Sequence, residues 1–86
     1  MARITLYHFE GCPACTQAKQ WIDQLKQEKP VLQKAQIHMV DVHQQPNFQA
    51  PAPFQYVPTF FSDDRKVLEG NVSKDQVEYL MRASMA

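Results

Sequence analysis

The hydrophobic period of this chain changes at Cys12-Pro13-Ala14-Cys15, and that change limits the architectures open to it. The run before it, Ile4-Thr5-Leu6-Tyr7-His8-Phe9, is β-branched and aromatic and reads as a strand. After it, Ala14, Ala18, Trp21, Ile22 and Leu25 recur at the spacing of one helix face. A two-cysteine motif therefore sits where a strand hands over to a helix. Cys12 falls at the N-cap, and Pro13 at the first helical position, where a missing N–H costs nothing. The unpaired N–H groups and positive dipole end of the helix favour a thiolate at Cys12. Gly11 supplies backbone freedom just before the thiol.

Taken in order, residues 3–9 form the first strand, and the helix runs to 28 or 29 before Pro30 stops it. Residues 31–36 are a connection, and the alternation of Ile37-His38-Met39-Val40-Asp41-Val42 gives a second strand. Pro46, Pro51 and Pro53 break the stretch 43–55, which has room for one helical turn at 47–50. A third strand over 57–61 begins with a proline. The polar turn 62–65 leads to a fourth strand over 66–69, paired back as a hairpin and ended by Gly70. Ser73 and Gln76 form a capping box, launching a last helix whose inner face carries Val77, Leu80 and Met81. This order predicts an α/β domain spanning 1–86 with a mixed four-stranded sheet. Its first two strands are parallel through a right-handed crossover, its last two form an antiparallel hairpin, and helices cover both faces.

Composition narrows the function. The 86 residues include nine basic and nine acidic side chains, which cancel and give no bulk attraction to nucleic acid or a membrane surface. No window approaches the ~20 apolar residues of a membrane span, and the first residues lack the layout of a signal peptide. The expected setting is a reducing cytoplasm, where two cysteines are redox-active or metal-binding rather than scaffolding. A structural Cys12–Cys15 bridge would close so short a loop that it removes only about 2 kcal/mol of chain entropy. His38 and His43, following Cys12-x-x-Cys15, imitate the ligand order of a zinc finger. The gap between the pairs is too long, and an odd spacing along a strand turns the two histidines to opposite sides, so no metal site is expected.

A Cys-Pro-x-Cys at the end of a first strand, Val57-Pro58 opening a third, a hairpin, a glycine and a final helix together resemble the thioredoxin superfamily. The size and the wording Cys-Pro-Ala-Cys are most similar to a glutaredoxin or glutaredoxin-like thioredoxin. The resemblance implies a thioredoxin fold with a short or irregular second helix. It also implies a dithiol–disulfide oxidoreductase that reduces protein or glutathione mixed disulfides and serves electron transport and cell redox homeostasis. Cys12 would be the attacking thiolate and Cys15 the resolving thiol. Pro58 matches the family's cis-proline, with the Val57 backbone free to pair with a substrate, and Pro13 and Tyr56 complete the substrate-binding set. The implied partners are a disulfide-containing protein, ribonucleotide reductase among them, and either glutathione or a thioredoxin reductase as electron donor. No tightly bound cofactor is implied, and the protein is expected to be a monomer. The competing class is a non-catalytic binding module of the same fold, or a glutathione-dependent iron–sulfur cluster carrier.

Several residues depart from the glutaredoxin pattern. Phe9 stands where a lysine commonly meets a glutathione carboxylate, and Glu69-Gly70-Asn71-Val72-Ser73 replaces the double glycine and acidic residue. Tyr56 stands in place of a threonine. Leu6 occupies the region of the buried carboxylate of thioredoxins. Arg65 and Lys66 are the nearby cations, read more simply as a solvated hairpin turn. His8 shares strand parity with Ile4 and Leu6 and reads as a packed histidine rather than a support for Cys12. Glu10 points to solvent, and Trp21 belongs to the core. Phe48, Phe54 and Tyr56 fit either a cover over the sheet where a regular helix is lacking or an apolar lip beside the cysteines.

Overall fold

Strand β1 (Ile4–His8) lies inside the sheet, parallel to β2 (Ile37–Asp41) on one side and antiparallel to β3 (Thr59–Ser62) on the other. Strand β4 (Arg65–Glu69) pairs antiparallel with β3, so the sheet order is β2-β1-β3-β4. Helix α1 (Pro13–Glu28) links β1 to β2, and α2 (Lys74–Ser84) follows the hairpin. The computed structural model describes residues 2–85; Met1 and Ala86, the ends of the expected domain, lie outside the described residues.

Strand parity divides the core in two. Ile4, Leu6 and Phe60 face Ala18, Ile22 and Leu25 of α1 and Val77, Leu80 and Met81 of α2, all buried. Removing one such side chain from water stabilises the fold by roughly 2 kcal/mol. Tyr7 and Phe61 point the other way, and with Val40 they lie under Val42, Phe48, Ala50, Ala52, Phe54 and Val57. Both α-helices thus share one face, which corrects the expectation of helices on both. The opposite face is covered by the proline-broken segment instead. Its rings do the work of a helix: Phe54 and Phe48 sit 5.0 and 5.4 Å from Tyr7, centroid to centroid. The cover reading of Phe48 and Phe54 is therefore the observed one.

Three segments differ from expectation by more than one residue at an element's end. Residues Pro30–Lys34 form a 3-10 helix rather than a plain connection, started by Pro30, whose ring presets φ, and anchored by the fully buried Leu32. Residues 47–50 form no helical turn; three prolines remove the donors a helix needs. Strand β3 begins at Thr59 instead of Val57, because Pro58 has no N–H to give a ladder. The capping box is as expected: Ser73 Oγ accepts from Gln76 N, and Gln76 Oε1 from Ser73 N.

One irregularity bears on the site. In the hairpin Phe60 pairs with Leu68 and Phe61 with Lys66, so Val67 is an extra residue, a bulge. On a regular strand Lys66 and Glu69 would face opposite sides. The bulge brings both to the side of Tyr7, Thr59 and Phe61, beneath the irregular segment.

Candidate active site

The site grows from the junction of β1 and α1. Gly11 takes a left-handed backbone (φ 85°) that a side chain disfavours, and this turns the chain from strand into helix. Cys12 then caps α1 with extended φ and ψ of −98° and 108°, and its Sγ accepts the Cys15 N–H at 3.2 Å. The thiol sulfur thus takes the place that a serine or aspartate oxygen fills in an ordinary cap. Cys12 keeps 8% of its surface exposed, while Cys15, one turn further in, keeps none. Both are unbridged thiols. Burial, then the hydrogen bond to Cys12, pushes the Cys15 thiol up to about 11, against the opposing pull of the Phe9 N–H. Cys12 thus shows a small edge to solvent at a helix N-terminus, and Cys15 lies fully buried behind it.

The second half of the site comes from the far end of the irregular segment. The Val57–Pro58 peptide is cis, as the resemblance implied, and the Val57 carbonyl oxygen lies 3.9 Å from Cys12 Sγ. The Pro58 carbonyl accepts the Gly70 N–H at 2.9 Å, and the Thr59 hydroxyl donates to the Tyr56 carbonyl. Cys12, Cys15, Val57 and Pro58 are thus brought together. Pro13 is exposed on the first turn of α1, and Tyr56, the residue before Val57, is 65% exposed.

Glu69 is the residue the sequence reading did not single out. Its Oε2 accepts the N–H groups of Gln55 and Tyr56 at 2.5 and 3.0 Å, and its Oε1 accepts Lys66 Nζ at 2.8 Å. Lys66 Nζ also donates to the Pro53 carbonyl at 3.1 Å. The Lys66 ammonium, followed by the two N–H groups, holds the Glu69 carboxyl at about 2. Lys66 is exposed, but it is paired within the chain rather than a free charge on a turn. The spacing Lys66-x-x-Glu69 gives no strand signal for this pair, since only the bulge at Val67 creates it.

His8 is buried, as its parity indicated, on the α1 side of β1, and its Nδ1 has no hydrogen-bond partner. Burial lowers its basicity, Lys19 adds to the effect, and Asp41 and Glu10 oppose it. Phe9 stacks on His43, ring centroids 4.4 Å apart, while His38, on β2, pairs across to Thr5 of β1. Among the described residues no three His, Cys, Asp or Glu side chains gather as metal ligands. A larger cleft of about 1130 Å³, between the hairpin and α2 and lined by Arg65, Val67 and Tyr79, includes neither cysteine. No helix among the described residues is long and apolar enough to cross a membrane.

No family model and no curated protein matches the sequence. Among solved structures the chain is similar to the oxidised thioredoxin from Plasmodium falciparum, determined in solution. That likeness has 16% identity and a TM-score of 0.61, over 99% of this chain and 82% of that one. The chain has the thioredoxin fold, with two cysteines side by side at the start of its first helix. A shared fold does not carry an activity by itself, so the chemistry rests on the site.

Proposed function

We propose that the protein is a small dithiol–disulfide oxidoreductase. The observation that carries this reading is the hydrogen bond from the Cys15 N–H to Cys12 Sγ, with Cys12 at the N-cap of α1. A sulfur held there faces the helix N-terminus and receives a backbone donor, the placement that suits a nucleophilic cysteine. The Cys12 thiolate attacks one sulfur of a substrate disulfide. A Cys12–substrate bond forms, the substrate S–S bond breaks, and the first substrate thiol leaves with a proton from solvent. Cys15 then attacks Cys12 Sγ, giving up its own proton. The second substrate thiol departs, and the chain is left with a Cys12–Cys15 disulfide. Two electrons and two protons have passed to the substrate.

The backbone at Val57, next to cis Pro58 and facing Cys12 Sγ, supports an extended peptide as the substrate, with Pro13 and exposed Tyr56 flanking it. The substrate class is a protein disulfide, of which ribonucleotide reductase is a family-based example. Re-reduction comes from glutathione or from a flavoprotein thioredoxin reductase, so the chain itself needs no tightly bound cofactor. Such a cycle suits a monomer in the reducing cytoplasm, where it would maintain redox homeostasis.

The test couples NADPH consumption to reduction of a protein disulfide, with glutathione and its reductase in one assay and thioredoxin reductase in the other. Turnover in either assay that Cys12→Ser abolishes supports the oxidoreductase and names its donor. Activity unchanged by Cys12→Ser, or an absorbance band from bound iron without turnover, would transfer the reading to a binding module or cluster carrier.

A further inference from the structure

We infer that Glu69 sets the substrate class of this site: its carboxylate fills, from within the chain, the anion-accepting corner beside the substrate-pairing segment, and so turns away glutathione in favour of protein disulfides. This rests on the oxidoreductase reading and deepens it.

Two backbone N–H groups, from Gln55 and Tyr56, and the Lys66 ammonium converge on one point. Oriented N–H groups with a cation are the donors that recognise a carboxylate from outside. Here the point is occupied by Glu69. The corner opens on a cleft of about 260 Å³ lined by Pro53, Phe54, Gln55, Tyr56, Lys66 and Glu69, a volume on the scale of one or two side chains. It directly precedes Val57, whose carbonyl faces Cys12 Sγ. A ligand disulfide-bonded to Cys12 and lying along 55–57 therefore meets this corner first.

Glutathione carries two carboxylates, and each needs donors when it leaves water. Lys66 is committed elsewhere: two of its three N–H donors go to Glu69 and the Pro53 carbonyl, and Glu69 neutralises its charge. Phe9, beside the cysteines on the other flank, is apolar and stacked on His43. Glu10 on the same turn is exposed and adds a like charge. The backbone of an internal stretch of protein carries no terminal carboxylate. It pairs through the backbone at Val57 and lays a side chain on Pro53, Phe54 and Tyr56.

The experiment measures binding of S-methylglutathione, which cannot exchange disulfides, by amide chemical-shift titration. The parent protein, Glu69→Ala and Glu69→Gln are compared in the reduced state. Glu69→Ala frees all three donors, and tightening of about tenfold or more is expected. Glu69→Gln keeps an acceptor for the two N–H groups but frees the charge of Lys66, so a smaller gain is expected. If Glu69→Ala fails to fold, Glu69→Gln decides. A second measurement compares kcat/KM for a glutathionylated peptide with that for a protein disulfide, and the ratio should move toward glutathione in both variants. Folded variants that bind S-methylglutathione within about twofold of the parent would overturn the inference. So would loss of protein-disulfide turnover with no gain for glutathione, which makes Glu69 a brace only. Because the ligand is unreactive, its binding is read apart from the Cys12→Ser control, and the two readings fail separately.

Discussion

Cys12 Sγ stands 3.9 Å from the carbonyl oxygen of Val57, a residue 45 positions further along the chain. The first is placed by a helix cap and the second by a loop that ends at a proline. Their approach leaves the N-terminus of α1 on one side of the sulfur and the Val57 backbone on the other. Under the proposed function, a substrate disulfide entering between them would meet the sulfur of Cys12 and the backbone of Val57 together.

Cys15→Ser should trap the intermediate. Without the resolving thiol the Cys12–substrate bond persists, so incubation with a protein disulfide is expected to give a covalent complex stable until a thiol reductant is added. Mass spectrometry under non-reducing conditions checks this. Release as fast as in the parent would remove Cys15 from the reaction.

The resolving step should accelerate with pH. Burial and the bond to Cys12 push the Cys15 thiol up to about 11, so its reactive form is scarce at neutral pH. Below that value the thiolate fraction rises about tenfold per pH unit. Stopped-flow release of substrate from a preformed Cys12 mixed disulfide should therefore climb across the neutral to alkaline range. A flat profile would mean that forming the mixed disulfide itself removes the barrier to Cys15 ionisation.

His8 should make the fold sensitive to acid. Its folded pKa is lowered by burial and by Lys19, so the unfolded chain binds its proton first as pH falls. The contribution of neutral His8 is complete above about 6.5 and is lost as pH drops toward the lowered folded value. His8→Leu also removes a buried Nδ1 that has no partner. Urea denaturation at a series of pH values should show a shallower acid limb for His8→Leu than for the parent, a difference that cancels the titration of His38 and His43.

Phe54→Ala should weaken both fold and site. The ring lies 5.0 Å from Tyr7 and covers a sheet face that no helix protects. Because Phe54 is only partly buried, a loss of about 2 kcal/mol is expected, below the full cost of a core aromatic. Phe54 also leads into Gln55, Tyr56 and Val57, so KM for a protein disulfide should rise more than kcat falls. A stability loss with KM unchanged would uncouple the cover from the site.

Much of the site was legible because its parts are local. The period change at Cys12, the cap geometry, Pro13 at the first turn and the Ser73–Gln76 box each depend on residues within one turn of one another, and each has its expected form. The Val57-Pro58 pair was readable only by resemblance. The Glu69 corner was not readable at all, because Lys66 and Glu69 share a face through a bulge that exists only when β4 meets β3. The placement of both helices on one face was equally hidden. A segment with three prolines shows that it cannot be a helix, but not that its aromatic rings will cover Tyr7 and Phe61 in a helix's place.

The sequence by itself thus determined the elements, the reactive cysteine pair and the helix end that holds it, since these follow from backbone sterics and hydrogen bonds over a few residues. Only the tertiary structure decided what faces the sulfur and which charged groups meet beside the segment that leads to it. Those depend on strand register, where one extra residue in β4 reverses the side on which a charge emerges.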